Sequence, residues 1–263
     1  MRFIDNPKIA WVGPTEFRRF AGASLCFRNP GTAATQLTSG YYRLDSHPGA
    51  INPAPLYMAI HNGLAKDIGI IFALEHGLCP LRMETYHVTM CDLVNDANVG
   101  CLHEEFQSQW VRFLQDIPGS LTAPLPKPLL PSDAEFGVPE IRFRFKALEL
   151  WESDRALVAV LAPVSGTEAA ASTIEERRST IDAAFVGCGK PLNAPWTPHI
   201  TIGYFASISD LVFAKNYLPR WSADIALRTA QATVSFSRVC LYVFEDMQTY
   251  YTPAIGAFHA RAA

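Results

Sequence analysis

Apolar and polar residues alternate along IRFRFKALEL (141–150), so that its isoleucine and phenylalanines fall on one face and its arginines and lysine on the other. A period of two is typical of a β-strand with one buried face. Other runs rich in apolar and β-branched residues predict further strands. These runs are TYHVTMCDLV (85–94), ALVAVLAPV (156–164), TPHITIGYF (197–205) and ATVSFSRVCLYVFE (232–245).

Helical spacing of apolar residues separates these strands. CLHEEFQSQWVRFLQDI (101–117) is amphipathic, STIEERRSTIDAAF (172–185) opens with the cap-like Ser172 or Thr173, and SDLVFAKNYL (209–218) predicts a third helix. LYMAI (56–60) predicts a buried strand, followed by a helix from about Asn62 to Gly77. The order of strands and helices before residue 118 is thus echoed after residue 140, which predicts two similar halves.

Proline marks two parts of the chain as irregular. Residues 118–139 contain six prolines, a density that predicts a connection without regular structure between the two halves. Residues 1–55 also contain six, and only ASLCF (23–27) predicts a strand there. The expected organisation is an irregular N-terminal extension over 1–55 and one bilobal domain over 56–263.

Composition places the chain of 263 residues among globular proteins, with 49% apolar and 18% charged residues. The net charge of −3 and the pI near 6.2 argue against a surface that binds long duplex nucleic acid. The six cysteines show no metal-ligand spacing, and no segment has the length and apolarity of a signal peptide or membrane span. We therefore expect a cytoplasmic monomer that does not bind membranes.

Two short segments share one arrangement, YHVTM (86–90) and PHITI (198–202). Residues i and i+2 of a strand share a face, so each segment presents one imidazole and one hydroxyl to the same surface while the apolar residues between them face a core. A lone His-x-Thr is usually an ordinary strand pair, but its repetition in comparable strands indicates a shared function. The four side chains are His87 and Thr89 in the first segment and His199 and Thr201 in the second.

These motifs, together with the order of elements from about residue 56 to 258, resemble the two-histidine (2H) phosphoesterase superfamily, whose LigT-like and cyclic phosphodiesterase-like members carry two H-x-[ST]-apolar motifs. The resemblance implies an α+β fold in which two pseudo-symmetric antiparallel sheets face a central cleft with helices outside. It also implies hydrolysis of a phosphodiester, with one histidine as general base, the other as general acid and the two threonines donating to phosphate oxygens. This scheme needs neither a metal nor another cofactor.

The expected substrate is a small nucleotide or a short RNA end, with a 2′,3′-cyclic phosphate favoured. Cleavage of 2′-5′ oligonucleotides and a catalytically silent nucleotide-binding module stay open as alternatives. The sequence does not decide which histidine is the base; the resemblance favours His199, with His87 protonating the leaving oxygen.

Further residues are candidates for substrate binding. Arg142 and Arg144 could attract phosphate, although a solvated strand face is the simpler interpretation. Gly203, which follows Thr201 on the same face, would leave room for a ligand. Aromatic residues near the motifs or the C-terminal segment could stack on a base, although packing is the commoner role of such rings. These are Tyr86, Trp196, Tyr204 and Tyr251.

Overall fold

A computed structural model describes residues 3–12, 15–29, 41–43, 54–67 and 75–253. Its strands are β1 (Ile9–Trp11), β2 (Glu16–Phe17), β3 (Gly22–Phe27), β4 (Tyr41–Arg43), β5 (Leu78–Pro80), β6 (Thr89–Asn95), β7 (Glu135–Trp151), β8 (Ala156–Pro163), β9 (His199–Phe205), β10 (Thr233–Phe244) and β11 (Tyr250–Pro253). Its helices are α1 (Pro55–Asp67), α2 (Glu104–Gln115), α3 (Glu168–Val186), α4 (Ile208–Ala214) and α5 (Leu218–Thr229).

Nine of these strands form one sheet, and every pairing within the described residues is antiparallel. One arm contains β6, β3 and the C-terminal half of β10, with β11 and β4 beyond it. The other arm runs from β7 through β8 and β9 to β5. The predicted α+β class with antiparallel pairing is confirmed, but the two expected sheets are joined. The long strands β7 and β10 pair with each other and link both arms.

Strand β3 corrects the account of the N-terminal part. The predicted strand at ASLCF is confirmed, but it lies inside the sheet between β10 and β6, and all six residues of β3 are buried. At β3 the N-terminal part therefore belongs to the sheet and is not a separate extension. Most of residues 30–53 lie outside the described residues.

Helix α1 contradicts the strand predicted at LYMAI. Its buried residues, Leu56, Tyr57, Ile60 and Leu64, recur at spacings of three and four, which is the helical period. Asn62 lies within this helix rather than at its start, and residues 68–74 of the predicted helix lie outside the described part. Gly77 has a φ of 67°, as expected of a glycine that ends a helical segment.

The remaining helices lie outside the sheet. Helix α2 is confirmed and buries Trp110, Phe113 and Leu114, while α3 is confirmed but begins earlier than expected, after Thr167. The sequence analysis missed α5, which buries Trp221 and Ile225 and packs against β7 and α1. The apolar faces of the helices and of the sheet together form one hydrophobic core.

The proline-rich connection is less irregular than predicted. It contains two short 3₁₀ turns, Gly119–Thr122 and Pro131–Asp133, and strand β7 already begins at Glu135. Strand β7 therefore includes Pro139, which the sequence analysis had placed in the irregular segment.

Candidate active site

The two His-x-Thr segments line one cavity of about 320 Å³ between the arms of the sheet. Strand β6 begins at Thr89, so His87 lies just before it, and His199 is the first residue of β9. All four motif side chains contribute to the lining and are half-buried. Val88, Met90, Ile200 and Ile202 are buried, as the alternation predicted.

Both imidazoles are held in the same way by the backbone two residues earlier. The Nδ1 atom of His87 lies 2.7 Å from the Thr85 carbonyl oxygen, and that of His199 lies 2.8 Å from the Thr197 carbonyl oxygen. A carbonyl oxygen can only accept a hydrogen bond, so Nδ1 carries a proton in both rings. The Nε2 atom is therefore the one that can take up or release a proton.

Burial lowers the pKa of both histidines. For His87, desolvation is the main cause and the charge of His199 adds to it, while the hydrogen bond to Thr85 opposes the shift. For His199, desolvation again dominates over the hydrogen bond to Thr197 and the nearby carboxylate of Asp92. Both rings thus favour the neutral form more than a solvated histidine does.

A register shift in each arm turns one more side chain toward the cavity. In β6 the shift lies opposite Leu25 and Cys26, and Asp92 joins Thr89 in the lining. In β9 the shift lies opposite Leu157 and Val158, and Tyr204 joins Thr201. Strict alternation would point residues three apart to opposite faces, so the bulges account for this arrangement.

Lys8 brings a cation to the cavity from the N-terminal segment. Its Nζ lies 3.4 Å from the Asp154 carboxylate and 4.5 Å from the centre of the Tyr204 ring. Burial alone would lower the pKa of Lys8, but interactions with Tyr204 and Asp154 outweigh it and raise the pKa. The lysine therefore brings a positive charge to the cavity.

The N-terminal segment is fixed to the end of β9. Backbone amides of Asp5 and Asn6 donate to the Ala206 carbonyl oxygen, and the Asn6 side chain donates to the Phe205 carbonyl oxygen at 2.8 Å. These hydrogen bonds hold Lys8 beside the arm that contains β7, β8, β9 and β5, although Lys8 is distant from these strands in sequence.

An aromatic ring packs beside each histidine. The ring centres of His199 and Trp151 are 4.2 Å apart, and those of His87 and Tyr250 are 4.9 Å apart. Both aromatic residues line the cavity. These rings exclude water from the imidazoles, which agrees with desolvation as the main cause of the lowered pKa values.

The loop before His199 binds the strand that carries Thr89. The Trp196 indole donates to the Thr89 carbonyl oxygen at 3.0 Å, and the Asn193 amide donates to the Asp92 carbonyl oxygen at 3.0 Å. Asn193 also accepts from Lys190, which is buried with Asp182. This contact between the arms fixes the two motifs relative to each other.

Only some of the other predicted binding residues reach the cavity. Tyr204 lines it, and Trp196 lines an adjoining cavity that also contacts His199. Tyr86 is buried against Tyr57, and the Tyr251 hydroxyl donates to Glu245 away from the cavity. Adjacent residues of a strand point to opposite faces, so Tyr250 lines the cavity in place of Tyr251.

Three further expectations are corrected by the structure. Arg142 and Arg144 lie exposed on the outer face of β7 and do not line the cavity. Gly203 does not leave space for a ligand, because a Cβ atom there would lie 2.6 Å from the Cys79 carbonyl oxygen. It instead permits the close approach of β5.

Lys8, Asp92, Trp151, Asp154 and Tyr250 line the cavity but were not found by sequence analysis. Only Asp92 has a recognisable signal, because it follows His87 by the same interval by which Tyr204 follows His199. Among the described residues, no group of three or more His, Cys, Asp or Glu side chains is arranged to hold a metal ion. No helix in the described ranges is long and apolar enough to cross a bilayer.

An antiparallel α+β fold thus brings a His-x-Thr segment from each arm to one cavity, an arrangement that resembles the 2H phosphoesterases. The family model of the 2′-5′ RNA ligase superfamily matches residues 134–247, which include the second motif but not the first. This match confirms the resemblance predicted from the two motifs. No curated protein sequence matches the chain.

Solved structures with similar folds share little sequence with this chain. The conserved protein of unknown function ATU0111 from Agrobacterium tumefaciens has a TM-score of 0.52 at 13% identity, over 92% of this chain and 88% of that one. Escherichia coli LigT complexed with 3′-AMP has a TM-score of 0.40 at 14% identity, over 89% and 95%. Usb1 of Kluyveromyces marxianus has a TM-score of 0.35 at 11% identity, over 89% and 98%. The similarity to ATU0111 shows the fold alone, and the other two add no argument.

Proposed function

We propose that the protein is a metal-independent phosphodiesterase or cyclic phosphodiesterase that acts on a small nucleotide or a short RNA end. The observation that carries this proposal is that two imidazoles from different arms of the sheet line one cavity, each with Nδ1 bonded to a backbone carbonyl oxygen. Each ring therefore offers Nε2 for proton transfer, one accepting a proton from the attacking oxygen and the other donating a proton to the leaving oxygen.

The reaction follows from these two nitrogen atoms. One neutral imidazole accepts the proton of a water molecule as its oxygen bonds to phosphorus on the side opposite the leaving oxygen. The bond between phosphorus and the leaving oxygen breaks, and the other imidazolium donates its proton to that oxygen. We assign the base to His199 and the acid to His87, while Thr89 and Thr201 donate to the non-bridging oxygens.

Charge and size favour a small anionic substrate. Lys8 supplies a half-buried positive charge, and a cavity of about 320 Å³ lies at the lower end of the range of about 300–1,000 Å³ that is usual for small ligands. A mononucleotide with a 2′,3′-cyclic phosphate fits this description and is the favoured substrate. A long duplex would need an extended positive surface, which the net charge of −3 argues against.

Two alternatives use the same residues. In a 2′-5′ oligonucleotide phosphodiesterase, a substrate hydroxyl or water attacks a linear diester. In a silent nucleotide-binding module, the histidines and threonines hold a phosphate without turnover.

Chromatographic product analysis separates these functions. Purified protein is incubated in EDTA with 2′,3′-cyclic and 3′,5′-cyclic mononucleotides and with 2′-5′ and 3′-5′ oligoadenylates. We expect EDTA-resistant turnover, with the 2′,3′-cyclic compound converted to a monophosphate. Turnover confined to the 2′-5′ oligoadenylate would instead identify the first alternative. Saturable nucleotide binding without product would identify the silent module and contradict the enzymatic proposal.

A further inference from the structure

The cavity contains one carboxylate whose charge is not offset by a cation. Besides the two histidines, the charged side chains that line it are Lys8, Asp92, Asp154 and Arg155. Lys8 pairs with Asp154 at 3.4 Å, and Arg155 pairs with Asp5 at 2.9 Å. Asp92 forms no salt bridge with any residue that the structure describes. Its negative charge is therefore left over when the pairs are counted.

The Asp92 carboxylate lies close to the proton-transfer groups. Burial lowers the pKa of both His87 and His199, and the negative charge of Asp92 partly opposes this effect in each ring. The Ser24 hydroxyl donates to Oδ1 of Asp92 at 3.1 Å and thereby fixes the carboxylate on β6. A phosphate group between the two histidines would lie within the electrostatic range of this carboxylate.

Hydrolysis changes the charge of the phosphate group. A phosphodiester, cyclic or linear, carries one negative charge. When the water oxygen bonds to phosphorus and the leaving oxygen departs with a proton, the product is a monoester that keeps one further acidic proton. The pKa of that proton is about 6, so at neutral pH the product carries nearly two negative charges. Repulsion between the phosphate group and Asp92 therefore increases as substrate becomes product.

We propose that Asp92 selects phosphodiester monoanions and rejects phosphomonoester dianions, so that the site expels its own product. This inference rests on the proposed function and deepens it by naming the charge class of the substrate. A 2′,3′-cyclic mononucleotide belongs to this class, and His199 and His87 keep their roles as base and acid. The monophosphate product should accordingly be a weak inhibitor.

Two ligands of the same shape but different charge provide the test. Adenosine 3′-phosphate is mostly a dianion at about pH 7.5, whereas adenosine 3′-sulfate is a monoanion, as a phosphodiester is. Calorimetric titration gives the Kd of each for the wild type, for Asp92→Asn and for Glu176→Gln. The asparagine oxygen can still accept from Ser24, and thermal melting verifies that the variants are folded. Glu176 is exposed on α3 and lines neither the cavity nor the one that adjoins it, so it controls for the loss of one negative charge.

We expect the wild type to bind the sulfate more tightly than the phosphate. Asp92→Asn should lower the ratio of the phosphate Kd to the sulfate Kd by about tenfold or more, and Glu176→Gln should leave it unchanged. For the wild type at about pH 5, where the phosphate is mostly a monoanion, the ratio should approach one. This last measurement does not depend on how a variant folds.

A ratio in Asp92→Asn equal to that of the wild type would overturn the selection by charge, and so would tighter binding of the phosphate by the wild type at about pH 7.5. Neither result would affect the proposed function, which the product analysis tests by turnover. Binding of neither ligand would count against both, because the cavity would then not be a nucleotide site.

Discussion

At the scale of single residues, the site depends on two histidines that are kept mostly neutral and oriented by the backbone. Burial lowers the pKa of both rings, and the carbonyl oxygens of Thr85 and Thr197 fix their tautomer. The rings thus differ from solvated histidines in both charge and orientation, and both differences can be measured.

The pH optimum of kcat/KM should lie at acidic pH. The base must be neutral and the acid protonated, so activity rises through the pKa of one ring and falls through that of the other. Because both pKa values lie below 6.5 in the free protein, kcat/KM should peak below pH 6.5. A bound phosphate anion favours the imidazolium, so the alkaline limb of kcat should lie at higher pH than that of kcat/KM. A kcat/KM that still rises above pH 6.5 would contradict this description of the site.

Lys8 should contribute to substrate binding. Lys8→Met removes the cation and leaves Asp154 and Asp92 to repel the phosphate, so KM should rise by about 10-fold or more, given about 1.5–3 kcal/mol for a charged hydrogen bond. Lys8→Arg should restore part of the affinity. The control is Lys146→Met on an exposed face of β7, for which KM should stay near the wild-type value. Steady-state kinetics that give equal KM for both methionine variants would exclude this role.

At the scale of elements, bulges and close strand contacts decide which side chains reach the cavity. The alternation in β6 and β9 correctly predicts which motif residues are buried, but the register shifts that add Asp92 and Tyr204 arise from pairing with distant strands. Gly203 also depends on a distant strand, because its lack of a side chain permits the close approach of β5. Sequence periodicity therefore predicts the strands well and their irregularities poorly.

Gly203→Ala should weaken the pairing of β5 with β9. The new Cβ atom would lie 2.6 Å from the Cys79 carbonyl oxygen and 2.9 Å from the Pro80 Cα, so the backbone must move. We expect the free energy of unfolding to fall by about 1–3 kcal/mol, as for an overpacked core. Gly100→Ala is the control, because no atom lies within 4 Å of its Cβ position. Urea unfolding that gives the same stability for both variants would exclude the close contact.

Breaking the buried ion pair beneath the loop before His199 should strongly lower the free energy of unfolding. Asp182 and Lys190 are both almost fully buried, so Asp182→Ala leaves the lysine without its carboxylate. Breaking such a pair costs about 3–5 kcal/mol. Glu176→Ala, an exposed change on the same helix α3, should cost no more than about 0.5 kcal/mol. Comparable urea midpoints for the two variants would show that the pair is not needed.

At the scale of the whole molecule, two distant parts of the chain complete the site. The repeated His-x-Thr motif allows both histidines and the class of fold to be predicted, because each motif is local. Lys8 and Asp154 could not be predicted, since only the folded chain brings the N-terminal segment beside β9 and the end of β7. The prediction of a strand at the start of α1 is wrong because LYMAI is too short and too apolar to show the helical period.

The most direct test of the central claim is the kcat of His87→Asn, His199→Asn and the double variant on the best substrate of the product analysis. If the two imidazoles act as one acid and base pair, each single variant should lose about 10²–10⁴ in kcat. The double variant should lose scarcely more, because residues that act as a unit are not additive. Turnover near the wild-type rate in either single variant, with the fold intact, would contradict the account.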